Sequence, residues 1–224
     1  MDNPSGGIAS AQTTAPGQIR ARNRVRILEA AEKIFAERGY RGATTAAIAE
    51  RAGLPKANVH YYFGTKAALY KAVIDDIMAL WLAALDYITE DRDPAEALSD
   101  YIRAKVTYSR DRPHASRVFA NEVILGAPNI EGFLAGELRE LVRQKAKVFE
   151  AWVRQGRMQP IEPAHLFSII WAATQQYADF GVQVSAILGR RKLSDEDFEV
   201  ATETITQLVL AGCGIAPPPA RAKP

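Results

Sequence analysis

Residues 44–63 read T-T-A-A-I-A-E-R-A-G-L-P-K-A-N-V-H-Y-Y-F, two short helical patterns broken by Ala52-Gly53-Leu54. In the first, Thr44 or Thr45 can cap the N-terminus by accepting a free backbone amide, and Ile48, Ala49 and Ala52 share a face. Gly53 supplies the left-handed residue that ends the helix at low steric cost. Leu54 turns inward, Pro55 is expected at the first position of the second helix, and Val59 and Phe63 form its inner face. Lys56, Asn58, His60, Tyr61 and Tyr62 are left outside. A cation, an amide, an imidazole and two phenols on fewer than three turns suit a polar partner. Two helices joined by a short turn containing glycine make a helix-turn-helix. The same geometry occurs in bundles that never meet DNA, so the charge pattern has to discriminate.

It favours DNA. From Arg20 to Lys71 there are 11 Lys and Arg against 4 Asp and Glu, a net +7, whereas residues 72–224 carry 17 basic and 21 acidic side chains, a net −4. The whole chain's +2 therefore hides a basic head on a mildly acidic body. Such a patch is the electrostatic footprint of phosphate binding. Arg20, Arg22, Arg24 and Arg26 form an alternating run that reads either as a solvated tail or as a contact to the DNA backbone or a neighbouring minor groove.

The segments I-L-E-A-A-E-K-I-F-A-E-R-G-Y, T-T-A-A-I-A-E-R-A-G and V-H-Y-Y-F-G-T-K-A-A-L-Y, within Arg26 to Lys71, resemble the DNA-binding domain of TetR-family regulators. Pro55 and His60 depart from that pattern, which often has a polar cap and a tyrosine there. The resemblance implies that Thr45, Lys56, Asn58, His60, Tyr62 and Lys66 face DNA. Their chemistry allows Asn58 and His60 to bond base edges, Tyr62 and Thr45 to hold phosphates, and Lys56 to take a guanine or a phosphate. Lys66, at a helix N-terminus with free amides, suits a phosphate.

Outward from this head, residues 1–19 read as a disordered tail, 20–66 as the helix-turn-helix domain, 67–213 as a second domain and 214–224 as a second disordered tail. The first helix is expected to stop at Gly39. A long fourth helix, capped by Thr65 and running to about Ile88, enters the body as a lever. Asp93-Pro94-Ala95-Glu96, Pro113, Phe133, Pro163 and Ser194 mark further helix starts, the Pro163 helix running to near Gly189. The class is all-α, with about nine helices. Cys213 is the single cysteine and excludes an internal disulfide. No h-region opens the chain and no apolar run spans a bilayer, so a cytoplasmic protein without membrane contact is expected.

The last two long helices carry apolar residues on more than one side, which suits a homodimer interface, and one short reader helix alone covers few base pairs. In the body, Trp171, Gln175 and Asp179 are spaced four apart and share a face. Trp81 lies on the lever at the depth where the two helices should cross. Indoles stack on flat rings and an amide complements a lactam or imide edge, so Trp81, Trp171 and Gln175 are the candidate effector contacts, although a core tryptophan is more often packing. Y-I-R-A-K-V-T-Y-S-R-D-R-P-H-A-S-R-V-F-A-N-E, A-W-V-R-Q-G-R-M-Q-P-I-E-P-A-H-L and I-I-W-A-A-T-Q-Q-Y-A-D-F are similar to the pyrimidine-utilisation repressor branch of the TetR family. That resemblance implies an effector such as uracil or thymine, with no cofactor. His114, Glu122, His165 and Asp179 lie on separate expected helices without metal-ligand spacing, which argues against an enzyme. A non-specific DNA-packaging protein would need positive charge across the body. The reading is a dimeric, ligand-responsive regulator bound to a double-stranded operator.

Overall fold

The computed structural model describes residues 16–216. Within them lie ten helices and no strand. α1 spans Pro16–Gly42, α2 Thr45–Ala52, α3 Lys56–Phe63 and α4 Lys66–Ala83, continued by a 3-10 turn over Ala84–Tyr87. α5 spans Pro94–Asp111 and α6 Pro113–Ile124. α7 has three continuous parts, Glu131–Phe133, a π-helical Leu134–Leu138 and Arg139–Arg154. α8 is Pro163–Asp179, α9 Gly181–Ile187 and α10 Asp195–Gly212.

Several expectations are corrected. Residues 16–19, assigned to a tail, form the first turn of α1, and the alternating arginines lie on this helix. Gly39 (φ +65) is a kink inside α1, and the helical turn resumes to Gly42. The Pro163 helix breaks at Phe180 (φ −116, ψ 28), which divides it into α8 and α9 and raises the count from nine to ten. Ile215, assigned to the second tail, is buried in the body core. The rest of the expected tails, 1–15 and 217–224, lies outside the described residues.

Local chemistry explains most boundaries. Thr44 accepts the Ala47 amide at 3.1 Å and Thr65 the Ala68 amide at 3.1 Å. The Asp93 carboxylate takes the amides of Ala95 and Glu96 at 2.9 and 3.2 Å, with Pro94 at the first helical position. Ser194 and Asp197 close a reciprocal capping box ahead of α10.

Two cores form. The head core packs Ile27, Ile34 and Phe35 of α1 with Ile48 of α2 and Val59 of α3. It continues through Leu69, Val73, Ile77 and Met78 of α4 into Ala115 and Val118 of α6. The body core joins Leu85 and Ile88 to α5, α7, α8 and α10, around Trp152, Phe149 and Phe167. Packing therefore does not divide at residue 66: α4 belongs to the head for most of its length and reaches the body at its end.

Charges hold this junction. Glu122, buried on α6, accepts the Tyr70 hydroxyl of α4 at 2.7 Å, the Asn129 amide at 2.6 Å and the Asn129 side chain at 3.1 Å. Burial, reinforced by Glu122, pushes the Tyr70 hydroxyl far above its ordinary pKa, so it remains a donor. Arg112, between α5 and α6, donates to Asp76 of α4 at 2.9 Å and to Glu32 of α1. Replacing Glu122 with Ala strands the buried Tyr70 hydroxyl and frees the more exposed Asn129, so urea unfolding should show a loss of about 1–3 kcal/mol. An unchanged midpoint would show that the junction does not need this carboxylate.

Candidate functional site

The turn between α2 and α3 is fixed by Gly53 and Arg26. Gly53 adopts φ +62, and a Cβ there would come within 3.0 Å of the Arg26 guanidinium. Arg26 donates to the Ala52 carbonyl at 2.6 Å and reaches the Gly53 carbonyl at 3.4 Å, filling the helix end that the glycine leaves open. Pro55 sits at the cap position rather than the first helical one: its ψ is 144, its carbonyl accepts the Asn58 amide at 2.9 Å, and helical geometry starts at Lys56. α1 also braces α3 from outside, since the guanidinium of Arg20 lies 5.6 Å from the Tyr61 ring centre and that of Arg24 5.5 Å from Phe63. Two of the four alternating arginines thus face α3 and a third supports the turn.

On the outer face Lys56, His60 and Tyr61 are exposed, while Asn58, Tyr62 and Thr45 are half-buried at its edge. The Nδ1 of His60 lies 3.0 Å from the Gly64 carbonyl. A carbonyl only accepts, so Nδ1 carries the proton, and in the neutral ring Nε2 points outward as an acceptor. Such a group matches an exocyclic amino group on a base edge. Lys66 departs from expectation. Its ammonium donates to the Tyr40 carbonyl at 2.9 Å and the Ala43 carbonyl at 3.1 Å, and lies 4.6 Å from the Tyr40 ring centre. It ties the α1–α2 connection to α4, which commits to the fold the charge assigned to a phosphate.

In the body, Trp81, Trp171 and Gln175 come together as expected. They line one cavity of about 60 Å³ with Met78 and Leu82 of α4 and Leu85 of the turn that continues it. Tyr101 and Lys105 of α5, Phe119 of α6 and Leu138 at the end of the π segment complete the wall. Trp171 is held rigidly: its indole nitrogen donates to the Tyr101 hydroxyl at 2.7 Å. Its ring also ends a near-parallel row through Phe167 and Phe149 to Trp152, with centres 5.8, 5.3 and 5.5 Å apart. Trp81 takes the edge of Phe119 at 4.4 Å. No hydrogen bond from the Gln175 amide to the chain is present among the described residues.

Lys105 was missed by the sequence reading. It is 4% exposed and its ammonium lies 4.3 Å from the Trp81 ring centre. Burial drives its pKa down to about 7, opposed by the field of Asp179. The signal was legible, because Leu98, Tyr101, Ile102, Lys105 and Ser109 are spaced as one helical face. Asp179 does not line the cavity. One turn beyond Gln175, it keeps a buried carboxylate oxygen without a hydrogen-bond partner, and burial pushes its carboxyl upward. Among the described residues no group of three or more His, Cys, Asp or Glu is placed to hold a metal, and no helix is long and apolar enough to cross a membrane.

Residues 27–73 match the family model of bacterial regulatory proteins of the tetR family, and 74–216 match that of the YcdC-like protein C-terminal region. The HTH-type transcriptional regulator RutR of Escherichia coli (strain K12) is 41% identical over 186 residues, which covers 83% of this chain and 88% of RutR. The HTH-type transcriptional repressor NicS of Pseudomonas putida is 30% identical over 112 residues, 50% of this chain and 53% of NicS. A solved regulatory protein of the tetR family from Rhodococcus RHA1 superposes with a TM-score of 0.68 at 22% identity, covering 87% of this chain and 98% of that one. The TetR family transcriptional regulator PfmR from Thermus thermophilus gives 0.64 at 21% identity, over 84% and 95%. At those identities the superpositions speak for the fold alone.

The buried ammonium has a measurable cost. An unfolded lysine titrates near pH ~10.4, whereas Lys105 in the fold titrates at about 7. Between these values the unfolded chain binds the extra proton, so stability rises with pH; below the folded value the penalty is felt in full. Lys105→Met should therefore be more stable than the parent near neutral pH by roughly 1–4 kcal/mol, with the gain fading as pH approaches ~10. Thermal melts across that range check it, and a variant less stable at neutral pH would contradict it.

Proposed function

The chain belongs to the TetR family of bacterial regulatory proteins, and on that premise we propose that it represses transcription as a homodimer on a palindromic operator and is released by a flat pyrimidine such as uracil or thymine. It is a DNA-binding transcriptional regulator, not an enzyme. The observation that carries the effector reading is the meeting of Trp81, Trp171 and the unpaired Gln175 amide in one cavity. Two indoles offer stacking, and the amide offers one acceptor and two donors to a lactam edge. The similarity of the body segments to the pyrimidine-utilisation branch points to the same chemistry. A reader of chromosomal operators works in the cytoplasm, where we place it.

The dimer reading rests on the outer stripes of the last long helices. Leu166 and Ile170 of α8 and Ile205 and Val209 of α10 are buried, while Ile169, Val200 and Leu208 on the same helices are exposed at 59%, 56% and 68%. A helix apolar on two sides buries one in its own core and needs a partner for the other. Two copies would also present two reader helices, at the spacing a palindrome requires.

The switch follows from the cavity's size. About 60 Å³ is small for a six-membered ring with exocyclic oxygens, so the effector selects a state in which a wall has moved. α4 supplies Met78, Trp81 and Leu82 to that wall, and Lys66 stands at its other end, about 22 Å away at the helical rise. Tilting this helix shifts the head, because the head core encloses α4 through Met78. A coupling of ~1–3 kcal/mol gives roughly 5–150-fold release, and operator DNA weakens effector binding by the same factor.

Three measurements test this. Operator affinity should fall steeply with salt, as counterion release by the basic head demands; a flat slope would rule out the electrostatic mode. Asn58→Ala should lose roughly 1–3 kcal/mol at the operator and relax preference at one base position. Equal losses on specific and random DNA would make Asn58 a backbone contact. In a release titration, Gln175→Leu should hold its operator and ignore uracil and thymine. A full response would move the effector site elsewhere.

A further inference from the structure

We infer that Lys105 is a specificity-determining residue of the effector cavity: its ammonium selects a ring bearing an exocyclic oxygen and rejects the same ring bearing an amino group in that place. This rests on the effector reading above and deepens it.

This chain ties its partly buried lysines to backbone carbonyls. Lys66 gives its ammonium to the carbonyls of Tyr40 and Ala43, and Lys145 donates to the Ile88 carbonyl at 3.0 Å. Both are structural ties. Lys105 is more deeply buried, yet its ammonium contacts the face of Trp81 and borders the cavity without a hydrogen bond to the chain among the described residues. A ring face and the field of one carboxylate leave a buried cation with much of its desolvation cost. Ligand acceptors would remove that cost.

The polar groups of the cavity then define what fits. Lys105 offers donors only. Tyr101 accepts from Trp171, which leaves its own hydroxyl proton to give. Gln175 supplies an amide oxygen, the cavity's acceptor, and an amide NH₂. A ring that places an N–H/C=O edge on Gln175 satisfies both faces of that amide, and its second oxygen falls to the ammonium. An amino group there sets donor against donor, and neither is paired by the other. Uracil and thymine meet the pattern, and cytosine does not.

The groups around the ammonium are few. α4, α6 and α7 present Met78, Trp81, Phe119 and Leu138, none of which titrates near neutrality. Tyr101 on the same helix stays protonated, because burial raises its pKa. Asp179 on α8 is the carboxylate whose field reaches Lys105. With the lysine brought down to about 7, deprotonation above that value removes the charge and adds an acceptor lone pair while keeping N–H donors, so uracil affinity should weaken and its preference over cytosine should narrow as pH rises.

The experiment is calorimetric titration of the full-length protein with uracil and with cytosine, for the parent, Lys105→Met and Lys105→Gln, with operator affinity as the check on folding. Expected for the parent is strong preference for uracil, weakening above neutral pH. Expected for Lys105→Met is intact operator binding, uracil affinity lower by about 10- to 100-fold, cytosine affinity little changed, and no pH dependence. If the Met variant loses its operator, Lys105→Gln decides, since an amide turns to accept or donate and should collapse the preference. A variant that keeps the parent's uracil preference, or a parent that binds both bases equally, overturns the assignment while leaving the effector class standing. A parent that binds neither base overturns the effector class and this assignment with it.

Discussion

A carboxylate taken out of water must be satisfied by donors, and Glu122 shows what that requirement does to this molecule. Its oxygens collect the Tyr70 hydroxyl from α4 and two N–H groups from Asn129, fixing α6 and the following loop against the upper half of α4. The carboxylate is 3% exposed, so water offers little substitute if one donor withdraws. Arg112 adds a second, more exposed tie to Glu32 and Asp76. Head and body are thereby joined by directional bonds as well as by apolar contact.

That joint makes a short movement useful. Greasy surfaces slide with small penalty, whereas a hydrogen-bonded seam either holds or lets go, and regulation depends on discrete states. α4 is clamped by the head core up to Met78, and three residues later it supplies a wall of the effector cavity through Trp81. Opposite Trp81, the row from Trp152 to Trp171 and the Tyr101 bond hold the facing indole rigid. A rigid wall against a wall that belongs to the lever sends ligand-driven strain towards the DNA-reading head.

The polar side chains divide in the same way. Those that tie the fold have their bonds in place: Lys66 on two carbonyls, Arg26 on the turn, Trp152 on the Glu90 carbonyl at 3.2 Å. At the cavity Trp171 and Tyr101 are bonded to each other, but two further groups are not. Gln175 and Lys105 border it with bonding capacity unspent, and Asp179 keeps an unpaired oxygen nearby. Unspent capacity in a buried place lowers stability, which is the usual cost of a site prepared for a ligand.

Much of this was legible in the chain. Gly53, Thr44, Thr65, Asp93 and Ser194 act through bonds to residues within a few positions, so their spacing alone placed helix ends. The four-residue spacing of Trp171 and Gln175 put both on one helix face, and net charge separated the basic head from the body. Contacts between residues far apart in sequence were another matter. Whether Lys66 met phosphate or the Tyr40 and Ala43 carbonyls depended on where a connection 23 residues away came to rest. The break at Phe180 and the π segment over Leu134–Leu138 are changes of backbone geometry that leave no mark in apolar periodicity. Lys105 lay in plain view on an apolar stripe, yet only the crossing of α5 with α4 and α8 brings its ammonium beside Trp81 and Gln175. Local hydrogen bonding and periodicity are written along the chain, whereas the environment of a charge is set by what the fold packs around it.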